Sequence, residues 1–409
     1  MVRSIRGVHD AFPDETSAWQ RVEQVARDTF GRYGFSEIRL PIMEPTELFV
    51  RSIGKATDIV NKEMYSFLDK GGDALSLRPE GTAGVVRAYL QASLTRSGTQ
   101  RWYYMGPMFR RERPQKGRLR QFQQIGVELI GPAGPVEDAE ILAMARDMLK
   151  QLSIEHVRYE VNSLGCNICR PGYRKALLDF LQAHKDKLCE TCQERTVSNP
   201  IRVLDCKVPS CGQILAGAPV MTGYLCEACE QHFSGFKSGL EALEVPYVIN
   251  PYMVRGLDYY TRSAFEITTD RLGSQGTVIA GGRYDGLIEE LGGPAIPAVG
   301  FALGLERLSM LIDGITPGSA QLAVVAIGDE ALTYSLKIAR KFRESGIKVV
   351  HCGSGSAKTL FKRAHREGVY FVAVVGDEEM RSKMVSIKSM LNGKQQQLTI
   401  KGAIDHITS

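Results

Sequence analysis

Residues 101–131, RWYYMGPMFRRERPQKGRLRQFQQIGVELIG, read as a strand, a basic loop and a second strand. The second strand constrains the chain more than any other stretch. Successive side chains on a strand point to opposite faces of the sheet. Phe122, Gln124, Gly126 and Glu128 therefore share one face, while Gln123, Ile125, Val127 and Leu129 share the other, mostly apolar, face. The apolar face asks for a core. The opposite face sets a glutamine and a glutamate on one side with a glycine between them. That describes either a hollow lined by an amide and a carboxylate or a solvated sheet face, and the pattern admits both. Residues 101–120 hold seven basic residues and one acid, Glu112. Such a cluster suits phosphates, against the ordinary reading of a charge run as a solvated loop.

The flanking sequence supplies the partners for such a sheet. ETSAWQRVEQVARDTFGRY (15–33) spaces Trp19, Val22, Val25, Ala26 and Phe30 as one helical face, ended by Gly31 and Gly34. A short strand at 35–40 precedes Pro41 and Pro45. ALSLRPEGTAGVVRAYL reads as a strand, a turn at Pro79–Gly81 and a helix. Thr82 lies near that helix start, where free N–H groups favour anions. Residues 137–153 read as a further helix. SAFEIT is strand-like, VIAGGRYDGLIEEL gives strand, glycine turn and helix, and AVGFALGLERLSMLI gives a strand broken by Gly300 and Gly304 before a helix bearing Arg307.

At 409 residues the chain exceeds one ordinary core, so two or three domains are expected. Apolar residues at 44% and charged residues at 24% describe a folded soluble protein, and a net charge of +5 does not by itself demand a nucleic-acid partner. The start MVRSIRGVHD lacks the apolar stretch of a secretory signal, and no apolar run is long enough for a bilayer. A cytoplasmic protein with no membrane partner is expected. Nine cysteines then suggest metal ligands or buried thiols rather than disulfides.

The pattern changes twice. From about 162 to 240 cysteines and turns dominate, as in an inserted module. After DGITPGSA, which ends at Ala320, strands and helices alternate: QLAVVAI, EALTYSLKIARKFRESG, IKVVHC, SAKTLFKRAHREG and YFVAVVG. That is a separate α/β domain of about 90 residues. Its CGSGSAKT (352–359) is not a phosphate loop. The loop needs glycine immediately before the lysine and another five residues earlier, and those positions are Ala357 and Cys352. Cys352 reads as a buried strand thiol. No dinucleotide-binding glycine motif follows a strand either.

In the order LRPEGT, FRRERPQKGRLRQFQQ, RGLDYYTR, AGGRYDG and GFALGLERL, with IRLPIMEPTELF before them, the chain resembles class II aminoacyl-tRNA synthetases, and most closely the histidyl-tRNA synthetase family. The likeness covers nearly the whole chain. It implies an α+β catalytic domain, an antiparallel sheet of six or seven strands flanked by helices, at 1–161 and 241–315. It further implies the inserted module at 162–240, a C-terminal α/β anticodon-binding domain at 321–409, and a homodimer.

The resemblance also implies chemistry: ATP, with magnesium, activates L-histidine to an adenylate, and the histidyl group passes to the 3′ end of tRNA(His). Charge must be neutralised where a carboxylate meets a phosphate, and arginine does this with a permanent, bidentate guanidinium. By the resemblance, Arg110 clamps the α-phosphate and the amino-acid carboxylate. Glu112 and Arg118 hold the adenine side and the β/γ-phosphates, Arg307 the γ-phosphate, and Arg255 is the extra catalytic arginine. Gly281, Gly282 and Gly304 let substrate approach the backbone. Glu128 and Tyr260 answer the two imidazole nitrogens, Tyr259 completes the pocket, and Glu80, Gly81, Thr82 and Gln124 lie at the α-amino group. Neighbouring strand residues point apart, so either a turn or bulge lies at Leu257–Tyr260 or only one tyrosine touches histidine; Tyr260 is the expected direct contact.

In the module, Cys166-x2-Cys169, Cys189-x2-Cys192, Cys206-x4-Cys211 and Cys226-x2-Cys229 form four close pairs. Three have the common spacing of tetrahedral zinc. Eight thiols allow two structural zincs, or one with spare thiols, or buried unligated cysteines, and the pairing is not readable. Lys358, Lys362, Arg363 and Arg366 offer either tRNA phosphate contacts or a solvated helix face. The rival reading is the family's regulatory paralogue, a subunit of ATP phosphoribosyltransferase that binds histidine without aminoacylation. Arg110, Arg255, Arg307 and the α/β tail argue against it.

Overall fold

The structure is a computed structural model and describes residues 2–54, 57–115, 117–273, 276–313 and 321–408. Two compact units emerge, Met1–Gly314 and Ile315–Ser409. Most of the segment expected to link them, from Gly314 to Ala320, lies outside the described residues.

The first unit begins α1 (Pro13–Arg32), β1 (Ser36–Glu37), β2 (Met43–Pro45), α2 (Thr46–Ile53), β3 (Tyr65–Leu68), β4 (Ala74–Leu77), α3 (Thr82–Gln91), β5 (Gln100–Phe109) and β6 (Gln121–Ile130). It continues α4 (Pro135–Gln151), β7 (Arg158–Ser163), α5 (Arg170–Ala183), α6 (Glu190–Ser198), α7 (Pro209–Leu215) and α8 (Glu227–Ala242). It closes with β8 (Val248–Ile249), β9 (Thr261–Thr268), β10 (Thr277–Arg283), α9 (Leu287–Glu290), β11 (Ala298–Gly304) and α10 (Leu305–Ser309). Eight strands form one sheet in the order β1-β5-β6-β11-β10-β9-β7-β8. The six central strands pair antiparallel throughout, and two-residue parallel strands close each edge. Edge strands this short offer little template for unwanted pairing. The strand expected over 35–40 shrinks to Ser36–Glu37, and Met43–Pro45 joins a separate three-stranded sheet, β2-β4-β3.

The apolar face of β6 does build the core. Ile125, Val127 and Leu129 meet Val299, Phe301 and Leu303 of β11 and Phe265 and Ile267 of β9. Over them lie Val22, Val25, Ala26 and Phe30 of α1, Ile141 and Leu142 of α4, and Phe236 and Leu240 of α8, all buried. Each Val, Leu, Ile or Phe among them contributes about 1.5–3 kcal/mol by leaving water. A charged group sits inside this packing. Asp138 of α4 accepts from Arg283 Nε at 3.0 Å and lies 2.7 Å from His232 Nε2 of α8. Arg283 also donates to the carbonyls of Pro132 and Gly134, so its buried guanidinium is fully partnered.

The expected module edges, 162 and 240, fall inside elements. Asn162 and Ser163 pair with β9, and Phe233, Phe236 and Leu240 of α8 belong to the main core. The module's own cluster is small: Tyr173, Leu177, Leu181, Leu188, Val203 and Leu215 pack with buried cysteines.

The second unit runs β12 (Leu322–Ala326), α11 (Asp329–Glu344), β13 (Val349–His351), α12 (Ala357–Arg366), β14 (Phe371–Val375), α13 (Asp377–Ser382), β15 (Met384–Ser389), β16 (Gln395–Thr399) and α14 (Ile400–Thr408). Its sheet order is β13-β12-β14-β15-β16, parallel over the first three strands and antiparallel over the last two. The alternating reading anticipated the first three strands and not the terminal β15–β16 pair. Ser356 caps α12 by accepting from Thr359 N, so CGSGSAKT is a turn into a capped helix, and Cys352 is buried. Lys358, Lys362, Arg363 and Arg366 are all exposed, and Arg363 also donates to the carbonyls of Cys352 and Ser354.

Candidate functional site

The second face of β6 is not solvated. It floors a cleft of about 330 Å³ in the first unit. The register explains the hollow. Glu128 of β6 sits beside Gly300 of β11, which sits beside Gly282 of β10; one step along, Gly126 meets Ala302, which meets Ala280. Gly300, Ala302 and Ala280 line the cleft and leave space that larger residues would fill, whereas Gly126 and Gly282 make room for the Tyr104 ring and the Ser263 carbonyl. A Cβ on Gly300 would lie 2.2 Å from a Glu128 carboxylate oxygen and 2.2 Å from the Val127 carbonyl. Gly300 therefore lies within a continuous β11 rather than breaking it: the strand needs glycine there for the neighbouring carboxylate.

Glu128 is held at the bottom. Thr82 Oγ1 donates to its Oε1 at 2.6 Å and the Tyr284 hydroxyl donates to its Oε2. Burial pushes its pKa up to about 8, the two hydroxyl bonds oppose this, and the neighbouring Glu80 adds to it. Glu80 is also raised by burial, although the backbone N–H groups of Thr82 and Ala83 donate to it at 2.7 and 2.9 Å. Glu80 thus caps α3 while facing the cleft. The Tyr104 hydroxyl donates to Gln124 Oε1 at 3.2 Å.

The turn alternative holds at RGLDYYTR. Residues 256–260 leave regular strand structure and β9 begins at Thr261, so both tyrosines line the cleft. Tyr259 packs on Tyr260 at 4.8 Å between ring centroids and on Tyr284 at 5.7 Å. Beside them Arg255 donates to Glu266 Oε1 at 2.6 Å and lies 4.8 Å over the Tyr260 ring. Burial opposes the charge of Arg255, but Tyr260 and Glu266 outweigh it and raise its pKa.

Three further arginines line the other end. Arg110 stacks over Phe122 at 5.4 Å and donates through Nε to the Pro79 carbonyl. Arg118 pairs with Glu112 at 2.5 Å. Arg307 is lowered by burial and then by the like charge of Arg118, and its buried Nη2 has no hydrogen-bond partner among the described residues. A desolvated guanidinium short of one acceptor is a place for an anion.

Of the expected residues, the cleft brings together Glu80, Thr82, Arg110, Glu112, Arg118, Gln124, Glu128, Arg255, Tyr259, Tyr260, Gly304 and Arg307. Gly81, Gly281 and Gly282 do not line it. A Cβ on Gly81 would enter the Tyr104 ring, one on Gly281 would lie 2.3 Å from the Gly300 carbonyl, and one on Gly282 would lie 2.5 Å from the Ser263 carbonyl. At all three positions an added Cβ would meet protein atoms. Sequence reasoning missed Tyr284, Tyr104, Glu266 and Thr277. Glu266 carried a signal, being a carboxylate inside the strand SAFEIT. Thr277 then donates to that same carboxylate at 2.9 Å.

The module brings its eight cysteines into two groups, Cys166/Cys169/Cys226/Cys229 and Cys189/Cys192/Cys206/Cys211. Within each group all four sulfurs lie within 4.8 Å of one another. The Cys166–Cys169, Cys166–Cys226 and Cys189–Cys206 separations are 3.6, 3.8 and 3.9 Å. Four sulfurs about 2.3 Å from one tetrahedral zinc stand about 3.8 Å apart. Backbone N–H groups of Cys226 and Cys189 donate to Cys169 and Cys211 sulfurs, which suits thiolates.

A family model described as histidyl-tRNA synthetase matches residues 7–203 and 211–308, and one described as an anticodon binding domain matches 321–409. A histidine–tRNA ligase of Trichlorobacter lovleyi is 48% identical over 405 residues, 98% of this chain and 97% of the relative. That of Geobacter sulfurreducens is 47% identical over 398 residues, 97% and 96% of the two chains. An apo histidyl-tRNA synthetase structure from S. aureus superposes with a TM-score of 0.82 at 34% identity, covering 100% of both chains. An ATP phosphoribosyltransferase regulatory subunit/histidyl-tRNA synthetase from Bacillus halodurans shares the fold, with a TM-score of 0.68 at 21% identity over 92% of this chain and 98% of that one.

Proposed function

This chain belongs to the histidyl-tRNA synthetase family, and on that premise we propose that its cleft is the active site of a histidine–tRNA ligase of class II. ATP and L-histidine react there to histidyl-adenylate and pyrophosphate, and the histidyl group then passes to the 3′ end of tRNA(His). The regulatory reading is not favoured. Full-length relatives at 48% and 47% identity are ligases by name, and the anticodon-binding domain is present.

The observation that carries the assignment is the pairing, in one cleft, of a buried carboxylate among tyrosines with four arginines at its sides. Glu128 accepts from one imidazole nitrogen, and the Tyr260 hydroxyl meets the other. An analogue lacking either nitrogen leaves a buried partner unpaired, which is how a polar pocket rejects it. Gln124 and the free lone pairs of Glu80 face the α-amino group, with Thr82 fixing Glu128 between them. The histidine carboxylate attacks the α-phosphate, so two negative groups must meet. Arg110 and Arg255 hold them in line and neutralise the charge that builds in the transition state. Arg307 takes the γ-phosphate with its unpartnered Nη2, and Arg118 takes the β/γ-phosphates once it exchanges Glu112 for them. ATP enters with magnesium as its counter-ion.

The eight module cysteines hold two zinc ions, each with four thiolates and no open position, hence structural rather than catalytic. The tRNA is gripped by the motif loop after β5, by the module and by the basic face of α12. The enzyme works as a cytoplasmic homodimer; exposed Ile42, Met43, Phe67 and Leu68 around the three-stranded sheet support an apolar contact. No helix of the described residues is long and apolar enough to cross a membrane.

Pyrophosphate exchange with each amino acid tests the activity. Histidine alone should support exchange, and pure protein giving none above background ends the ligase reading. Sedimentation should find twice the chain mass.

A further inference from the structure

The turn 256–260 carries Tyr259 and Tyr260 into the cleft; on one side Leu257 packs on the Leu48, Phe49 and Ile53 cluster and Asp258 N donates to the Ile53 carbonyl at 3.3 Å. A second cavity of about 580 Å³ lies at its back, and Arg255, Leu257 and Tyr260 line both hollows. On that open side its position comes from hydrogen bonds at its carbonyls. Two arginines of the cysteine module supply them. Arg170 donates to the Tyr260 carbonyl, and Arg202 donates to the Gly256 carbonyl.

Each arginine is anchored by a different thiol group. Arg170 follows Cys169 directly and begins α5. Just upstream of Cys166, Leu164 N donates to the Arg262 carbonyl at 2.7 Å, and Arg262 N donates back to the Gly165 carbonyl at 2.9 Å. The first tetrad thus grips the chain leaving the turn. Arg202 lies in the short helical segment Pro200–Asp205, between Cys192 and Cys206 of the second tetrad. The module's apolar cluster is small and cysteine-rich, so metal in the tetrads would add to its closure.

We infer that the two tetrads, as zinc sites, position the histidine-binding turn through Arg170 and Arg202. The inference rests on the ligase reading above. Metal in the first tetrad sets the Tyr260 end of the turn, and metal in the second sets the Gly256 end. Apart from Arg255, which adjoins the Gly256 tether, the arginines of the ATP side stand on the loop after β5 and on α10, and neither module arginine touches those elements. Loss of either tether should therefore weaken histidine far more than ATP.

The test is steady-state pyrophosphate exchange with the full-length protein, with zinc measured on the same samples. Wild type should contain two zinc ions per chain. Arg170→Ala and Arg202→Ala should keep both ions and raise the KM for histidine tenfold or more, with the KM for ATP within twofold. Arg170→Lys should recover part of the loss. Stepwise release of zinc from the wild type by an organomercurial, read with a chromogenic chelator, should raise the histidine KM in parallel and be reversed by thiol and zinc. Histidine KM unmoved in both alanine variants overturns the inference, and so does an equal rise for ATP and histidine. Active enzyme without zinc overturns the metal part. Zinc-loaded wild type with no histidine-dependent exchange instead overturns the ligase reading. If either alanine variant fails to fold, the zinc-release series on the wild type decides alone.

Discussion

Replacing Glu128 by glutamine should make the protein more stable and less able to bind histidine, and the pH at which this happens is set by the structure. Burial raises the Glu128 pKa from 4.5 to about 8. Between those values the folded carboxyl keeps a proton that the unfolded chain has released, so unfolding free energy falls as pH rises through the window. Above about pH 8 both states are ionised and the penalty is complete. At about 1.4 kcal/mol per pH unit the shift amounts to at most about 5 kcal/mol at pH 9. Glutamine has nearly the same volume, and its amide can accept from one of the Thr82 and Tyr284 hydroxyls and donate to the other. At about 2 °C per kcal/mol for a unit of this size, Glu128→Gln should melt up to about 10 °C above wild type at pH 9, the gap closing toward pH 5. Thermal unfolding of the ligand-free protein from pH 5 to 9 measures this. The same variant should raise the histidine KM in pyrophosphate exchange at least tenfold. Identical melting of the two proteins at pH 9, or a gap that widens toward pH 5, refutes the buried-charge argument whatever the kinetics show.

Arg255→Ala should lower the exchange rate by about 10²–10³ while the protein stays folded, since a fixed charge at the reacting phosphate is lost; full retention of exchange removes its catalytic role and leaves the function standing. Asp138→Asn should cost about 3–5 kcal/mol in urea unfolding, because His232 loses its buried anion and the buried Arg283 keeps only the partly exposed Asp285. The Asp138 pKa is lowered below 3.8, chiefly by His232 and Arg283 against the opposing effect of burial. Its contribution is therefore complete above about pH 4 and lost as pH falls below that, so the variant should lack this acid-sensitive step. Replacing Lys358, Lys362 and Arg366 together by glutamate should raise the KM for tRNA tenfold or more in aminoacylation and leave pyrophosphate exchange unchanged; an unchanged tRNA KM makes that helix face a solvated one.

How far each feature could be read follows from the range of the contact that makes it. The Gln124/Glu128 face was legible because a strand's two-residue period is local, and one strand sufficed to show both the core side and the cleft side. What turned that face from solvated to functional was not local. Tyr284 reaches Glu128 across 156 residues of sequence, and Gly300 clears space for it from a strand not adjacent in the chain. The glycines illustrate the same limit. Their presence near the site was readable, but only the packing shows that a Cβ on Gly81, Gly281 or Gly282 would meet protein atoms.

The two tyrosines and the cysteines mark the same boundary from opposite sides. The alternation rule exposed a conflict at Tyr259–Tyr260 that only a turn or a single contact could relieve, and the structure relieves it with a turn held from behind. Spacing named the four cysteine pairs but not their partners, because a pair three residues apart fits either a neighbour in sequence or one across the module. The fold joins the first pair to the last and nests the middle two inside. That nesting places Arg170 beside the outer group and Arg202 within the inner one, with both reaching the same turn. The motif that looked self-contained in eight residues is therefore shaped by a segment up to 90 residues earlier, reached through the Arg170–Tyr260 hydrogen bond. Substitutions in the module should accordingly be scored against histidine affinity before they are scored against tRNA.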